Sequence, residues 1–245
     1  MKARIQNLFL GVMLAAASVP ALAAGGGDTA MEPSGVNVQD ISSVQRGAKW
    51  FVNNCHGCHS LDYMRYNRLA EDLGLSEEMV VENLMFADKK IGETMSIAMS
   101  KDDAARWFGK APPDLSVIGR SRGTEWLYNF LIGYYEDDRG NWNNTLLANA
   151  AMPHPLWKLQ GIQKPVYEEH AEGHRTISEL KLATPGTQSE EEYRQTVRDI
   201  VAFLAYVGEP AVLKRKQVGV WVLVFLAVLA FLTYLLKREF WRDVH

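Results

Sequence analysis

The only two cysteines of the 245-residue sequence, Cys55 and Cys58, stand three positions apart in "NNCHGCHS" (53–60), with His59 directly behind the second. Residues three apart on a helical turn share a face, so both sulfurs can meet one flat object while the imidazole turns over its centre. A haem fits that geometry: the thiols form thioethers with its vinyl groups, and His59 ligates the iron. Three other chemistries use part of the pattern. A redox dithiol of thioredoxin type needs a strand feeding the motif and makes no use of the trailing histidine. Zinc wants four ligands, usually from two such pairs, and the sequence has no second pair. A disulfide closing so small a loop contributes little. The spacing points to one covalently attached haem c.

An iron held by one imidazole takes a further axial ligand, and that ligand decides between electron carrier and catalyst. Between the N-terminal leader and the C-terminal apolar run the sequence offers Met31, Met64, Met79, Met85, Met95, Met99 and Met152, with His56, His154, His170 and His174. Most methionines of this kind fill cores. Met152 differs, because "NAAMPHPLW" (149–157) places it before Pro153 and Pro155, which stiffen a loop that could hold a thioether at a fixed distance. His154 is its rival on spacing alone. In "APPDLS" (111–116), Pro112 and Pro113 fix an extended backbone whose carbonyls are free to accept a proton from the far nitrogen of His59. Arg120 or Arg122, just beyond, suits a haem propionate. "EEHAEGH" (168–174) reads as an exposed turn rather than a metal site.

The elements that must position these residues follow from pattern. Residues 1–24 have a basic start (Lys2, Arg4), an apolar stretch too short to span a bilayer, and Ala21-Leu22-Ala23 as a cleavage signal, which together read as a secretory signal peptide. Val218 to Leu236 is uncharged for 19 residues, about 28 Å of helix, and reads as a transmembrane segment within an anchor over 214–237. Three basic residues flank it on either side, so orientation rests on the signal peptide, which exports 25–213 and leaves 238–245 in the cytoplasm. The exported part holds 18 basic and 27 acidic residues, a net charge of −9, which repels nucleic acid and attracts basic proteins. Within it the spacing predicts helices over 41–54 with Asp40 as N-cap, 76–86, 124–135, and 189–210 with a Ser189/Glu192 capping box ended by Gly208 and Pro210. Pro165 to Leu182 predicts a hairpin around Glu172-Gly173.

Four blocks in order, "QRGAKWFVNNCHGCHSLDYMRYNRL" (45–69), "APPDLSVIGRSRG" (111–123), "AAMPHPLW" (150–157) and "VRDIVAFLAYVGEP" (197–210), followed by the basic cluster and the anchor, resemble the cytochrome c1 family, the haem subunits of cytochrome bc1 complexes. The resemblance implies a mainly α, class I cytochrome c-like haem domain with loop and hairpin insertions and one C-terminal transmembrane helix. It implies Cys55 and Cys58 as attaching thiols, His59 as proximal and Met152 as distal ligand, Pro112 beside the proximal histidine, and Arg122 rather than Arg120 at a propionate. It further implies cytochrome b, a Rieske iron–sulfur protein and a cytochrome c acceptor as partners in a bacterial inner membrane, with the haem domain in the periplasm. A second cysteine pair found in some members is absent, and "NNTLLANAAMPHP" follows the family's Pro-Gly-containing approach to the methionine only loosely.

Overall fold

The computed structural model describes residues 31–86, 88–169 and 175–243. The expected signal peptide, the Glu172-Gly173 turn, His170 and His174 lie outside the described residues. Helix α1 (Ile41–Asn54) begins at Asp40, whose carboxylate accepts the Ser43 N–H at 3.2 Å, and it delivers the chain into Cys55. Strand β1 (Leu61–Arg65), α2 (Tyr66–Leu73), α3 (Glu77–Leu84) and β2 (Thr94–Met95) follow, with β1 and β2 paired antiparallel. Next come α4 (Lys101–Phe108), α5 (Ile118–Ser121), α6 (Thr124–Ile132), a ribbon of β3 (Tyr134–Glu136) with β4 (Trp142–Asn144), and α7 (Trp157–Gln160). Hairpin strands β5 (Gly161–Glu169) and β6 (Arg175–Pro185) lead to α8 (Glu190–Gly208) and α9 (Val212–Phe240). The architecture is mainly α, with three two-stranded ribbons set between helices.

The centre of the molecule is the crossing of α1 and α8. Val44, Ala48, Phe51 and Val52 from one helix and Val197, Ile200, Val201, Leu204 and Val207 from the other are buried together, each of these side chains larger than alanine contributing roughly 1.5–3 kcal/mol. The two backbones meet at Gly47, where a Cβ would lie 1.9 Å from the Asp199 carbonyl oxygen. Asp199 itself is buried but fully occupied: it accepts from the Ser43 hydroxyl at 2.6 Å, from Arg46 Nε and Nη2 at 2.7 and 2.9 Å, and from Gln195 Nε2 at 2.9 Å. At the start of α8, Ser189 and Glu192 form the reciprocal capping box that their spacing predicts.

Three expectations shift. The helix expected to 135 stops at Ile132, because Gly133 hands its carbonyl to the Thr145 N–H at 3.0 Å and so opens the β3–β4 ribbon. A Cβ at Gly133 would fall 2.3 Å from Thr145 Oγ1, so the turn admits no larger residue without a shift. The hairpin is longer than 165–182, its register running from Gly161↔Pro185 to Glu169↔Arg175. Helix α9 begins at Val212, so Lys214 and Arg215 belong to its first turns; Val218–Phe240 is long and apolar enough to cross a membrane, and its side chains are covered by no other part of the described chain.

Candidate haem site

The end of α1 continues as a tight turn rather than a loop. The Cys55 N–H reaches the Phe51 carbonyl at 2.8 Å, and the Cys58 and His59 N–H groups reach the Cys55 carbonyl at 3.1 and 2.9 Å. Both sulfurs and the imidazole are thereby gathered at one helix end. Cys55 is half-buried and Cys58 exposed, and both are free thiols. Burial, with Cys58 adding a little, pushes the Cys55 thiol up to about 12, so it stays protonated. A redox dithiol needs a lowered thiol and a feeding strand; here the thiol is raised and a helix feeds the motif. Among the described residues no group of three or more His, Cys, Asp or Glu side chains is placed to hold a metal.

His59 is oriented from 54 residues away. Its Nδ1 lies 2.7 Å from the Pro113 carbonyl oxygen, to which it donates in the neutral tautomer, and Nε2 is then the nitrogen with a lone pair for a metal. Burial draws its pKa below the usual value, offset in part by the Pro113 carbonyl and the Asp114 carboxylate, which favours the neutral, ligating form. The expected acceptor segment is in place, through the carbonyl of Pro113. Pro112 instead lines a cleft of ≈ 190 Å³ together with Cys58, Ser60, Met99, Lys101 and Asp114.

The other side chains expected at the site stand along an aromatic wall. The Arg122 guanidinium lies 4.9 Å above the Trp126 ring; Trp126 stacks on Phe130 at 4.8 Å, Phe130 meets Tyr134 edge-on at 5.3 Å, and Tyr134 stacks on His154 at 4.7 Å. The Tyr134 hydroxyl donates to the Met152 carbonyl at 3.3 Å. The wall thus runs from Arg122 to the Met152 segment. Arg120 turns elsewhere, pairing with Glu209 at 3.0 Å. Met152 is half-buried, whereas His154 is buried among rings, and burial pulls its pKa down to about 4. Of the other methionines, Met64 and Met95 are core residues, Met31 and Met79 are exposed and Met85 packs against the core.

Two thiols on one turn, an imidazole held through Nδ1 and a run of aromatic rings leading from Arg122 to the backbone of Met152 fit the attachment of a haem. Sequence reasoning missed Trp126, Phe130 and Tyr134. The i, i+4 spacing of Trp126 and Phe130 within the predicted helix was a usable signal; nothing local marked Tyr134.

The Cytochrome C1 family matches residues 34–244. The chain is 46% identical to cytochrome c1 of Allochromatium vinosum over 98% of its own length and 100% of the relative's. It is 41% identical to a Nitrosomonas europaea protein named ammonia monooxygenase gamma subunit, covering 98% and 99% of the two chains. The mitochondrial cytochrome c1 haem protein of Schizosaccharomyces pombe is 26% identical over 84% of this chain and 68% of its own.

Proposed function

The chain belongs to the cytochrome c1 family, and from that premise we propose that it carries one covalently bound haem c and passes single electrons from a Rieske iron–sulfur protein to a cytochrome c, beside cytochrome b in a quinol–cytochrome c reductase. A haem bound at this site supplies a one-electron ferric/ferrous couple. The chain's own residues do the rest. Cys55 and Cys58 would tether it, and His59, held by the Pro113 carbonyl, would supply an imidazole ligand. Met152 would supply the thioether ligand, and Arg122 would pair with a propionate. The haem domain faces the periplasm, with α9 in the inner membrane and residues after it in the cytoplasm.

The observation that carries this reading is the His59–Pro113 hydrogen bond joined to the Cys55–Cys58 turn, which supports Nε2 as the nitrogen that would ligate. Met99 lines the cleft beside Pro112 and Cys58 and is the alternative thioether; the hydrogen bond from Tyr134 to the Met152 carbonyl favours Met152. The test is a redox titration of two variants. Met152→Leu should keep covalent haem yet lower the midpoint potential sharply, because thioether ligation raises it, while Met99→Leu should leave it near wild type. The reverse pattern would move the ligand to Met99.

The name of the Nitrosomonas europaea relative favours a second reading, a haem subunit of an oxygenase. Purification from membranes separates the two: cytochrome b and a Rieske protein accompany the chain in the first, oxygenase subunits in the second.

A further inference from the structure

His154 is the one histidine of the described residues that is almost wholly enclosed, at 2% exposure. Three rings enclose it: Tyr134 stacks on it with an interplanar angle of 5°, Trp142 meets it edge-on at 5.3 Å, and Tyr193 does so at 6.4 Å. These rings come from β3, β4 and α8, so the imidazole is the peg on which three elements close. Its Nδ1 accepts the Leu156 N–H at 3.4 Å, which bends the chain back just after Pro155. The ring on which it stacks is the same one whose hydroxyl reaches the Met152 carbonyl. Gln160 ties the next turn in place by donating to the Ile132 carbonyl at 3.0 Å. Two contacts therefore converge on the segment 152–156, one on each side of Pro153.

From this we propose that His154, acting through Tyr134, is a positioning residue for Met152: it fixes the backbone from which the thioether reaches the iron. The inference rests on the reading that Met152 is the axial ligand. A thioether is a weak ligand, so its occupancy depends on how little the backbone bearing it moves; the peg supplies that restraint by holding the chain on either side of Pro153, directly after the ligand. A histidine that merely filled space would stabilise the domain as a whole and leave the ligand's occupancy in the folded protein unchanged.

The test uses the intact, haem-loaded chain in detergent, with imidazole as the competing ligand of ferric haem. His154→Ala should raise imidazole affinity about tenfold or more, and Tyr134→Phe should raise it by a smaller but measurable factor. The conservative His154→Phe, which keeps the stacking face, should fall between His154→Ala and wild type. Leu73→Ala, a cavity in the core on α2, is the control; it should lower the melting temperature with little change in imidazole affinity. Unchanged affinity in His154→Ala, or an equal rise in Leu73→Ala, overturns the proposal. If His154→Ala does not accumulate, Tyr134→Phe and His154→Phe decide it by the same criterion. The far-red charge-transfer absorption of methionine-ligated ferric haem separates the two layers. If wild type has it and Met152→Leu lacks it while the His154 variants bind imidazole as wild type does, only the positioning role fails. If Met152→Leu retains it, the ligand assignment fails first.

Discussion

At the scale of single residues, the site depends on groups that are chemically ordinary until they are placed. Cys55 is a half-buried cysteine like many others, except that Cys58 follows one turn later and His59 is turned by a carbonyl from the Pro112–Pro113 segment. Replacing both cysteines with alanine should yield a chain that releases all haem under denaturing conditions, while either single replacement should leave some haem attached; mass spectrometry of the denatured chain reads the difference. The motif was fully legible in the sequence because its chemistry is local. The orienting acceptor was legible only as a segment: proline fixes an extended backbone, but which carbonyl faces the imidazole is settled by packing. The aromatic wall was not legible, since Phe130, Tyr134 and His154 meet only after α6, β3 and the 152–156 segment fold together.

At the scale of elements, the sequence announced those whose ends carry their own hydrogen bonds. Asp40 before α1 and the Ser189/Glu192 box before α8 satisfy N–H groups that a helix start leaves unpaired, so both starts stand where the sequence puts them. The β1–β2 and β3–β4 ribbons went unseen because strands of two to five residues show no usable alternation, and tertiary contacts alone select them. The α1–α8 crossing makes the strongest stability claim. Gly47→Ala has no room beside the Asp199 carbonyl, so the helices must separate; the haem-loaded domain should melt many degrees lower, or fail to accumulate. Asp199→Ala leaves the buried Ser43 hydroxyl without its acceptor and removes the carboxylate that Arg46 grips. That should cost about 1–3 kcal/mol, a fall of about 2–4 °C per kcal/mol in a domain of this size, measured by thermal melting. Ser43→Ala made together with Asp199→Ala should add less than the sum of the two alone.

At the scale of the whole molecule, Leu213 at the start of α9 still packs on the core, and beyond it the head meets its anchor through charge. Glu209 takes Arg120 at 3.0 Å and also holds Arg215, and the buried Asp72 carboxylate takes Arg68 at 2.8 Å, the Tyr206 hydroxyl at 3.0 Å and Lys214 at 3.9 Å. Pairs with one exposed partner contribute about 0–1 kcal/mol each, so cutting after Leu213 should release a soluble, haem-loaded domain that melts only slightly lower than the full chain. Failure to fold would mean that α9 contributes packing these contacts do not show. With a net charge of −9 on residues 25–213, the proposed reduction of a basic cytochrome c should slow as salt rises, which stopped-flow kinetics at increasing ionic strength would check. A six-coordinate haem held between His59 and Met152 is the centre of the proposed function. The most direct measurement is the absorption spectrum of the purified, reduced chain before and after carbon monoxide. An unchanged low-spin spectrum is the predicted result, and ready conversion to a carbon monoxide adduct would contradict it.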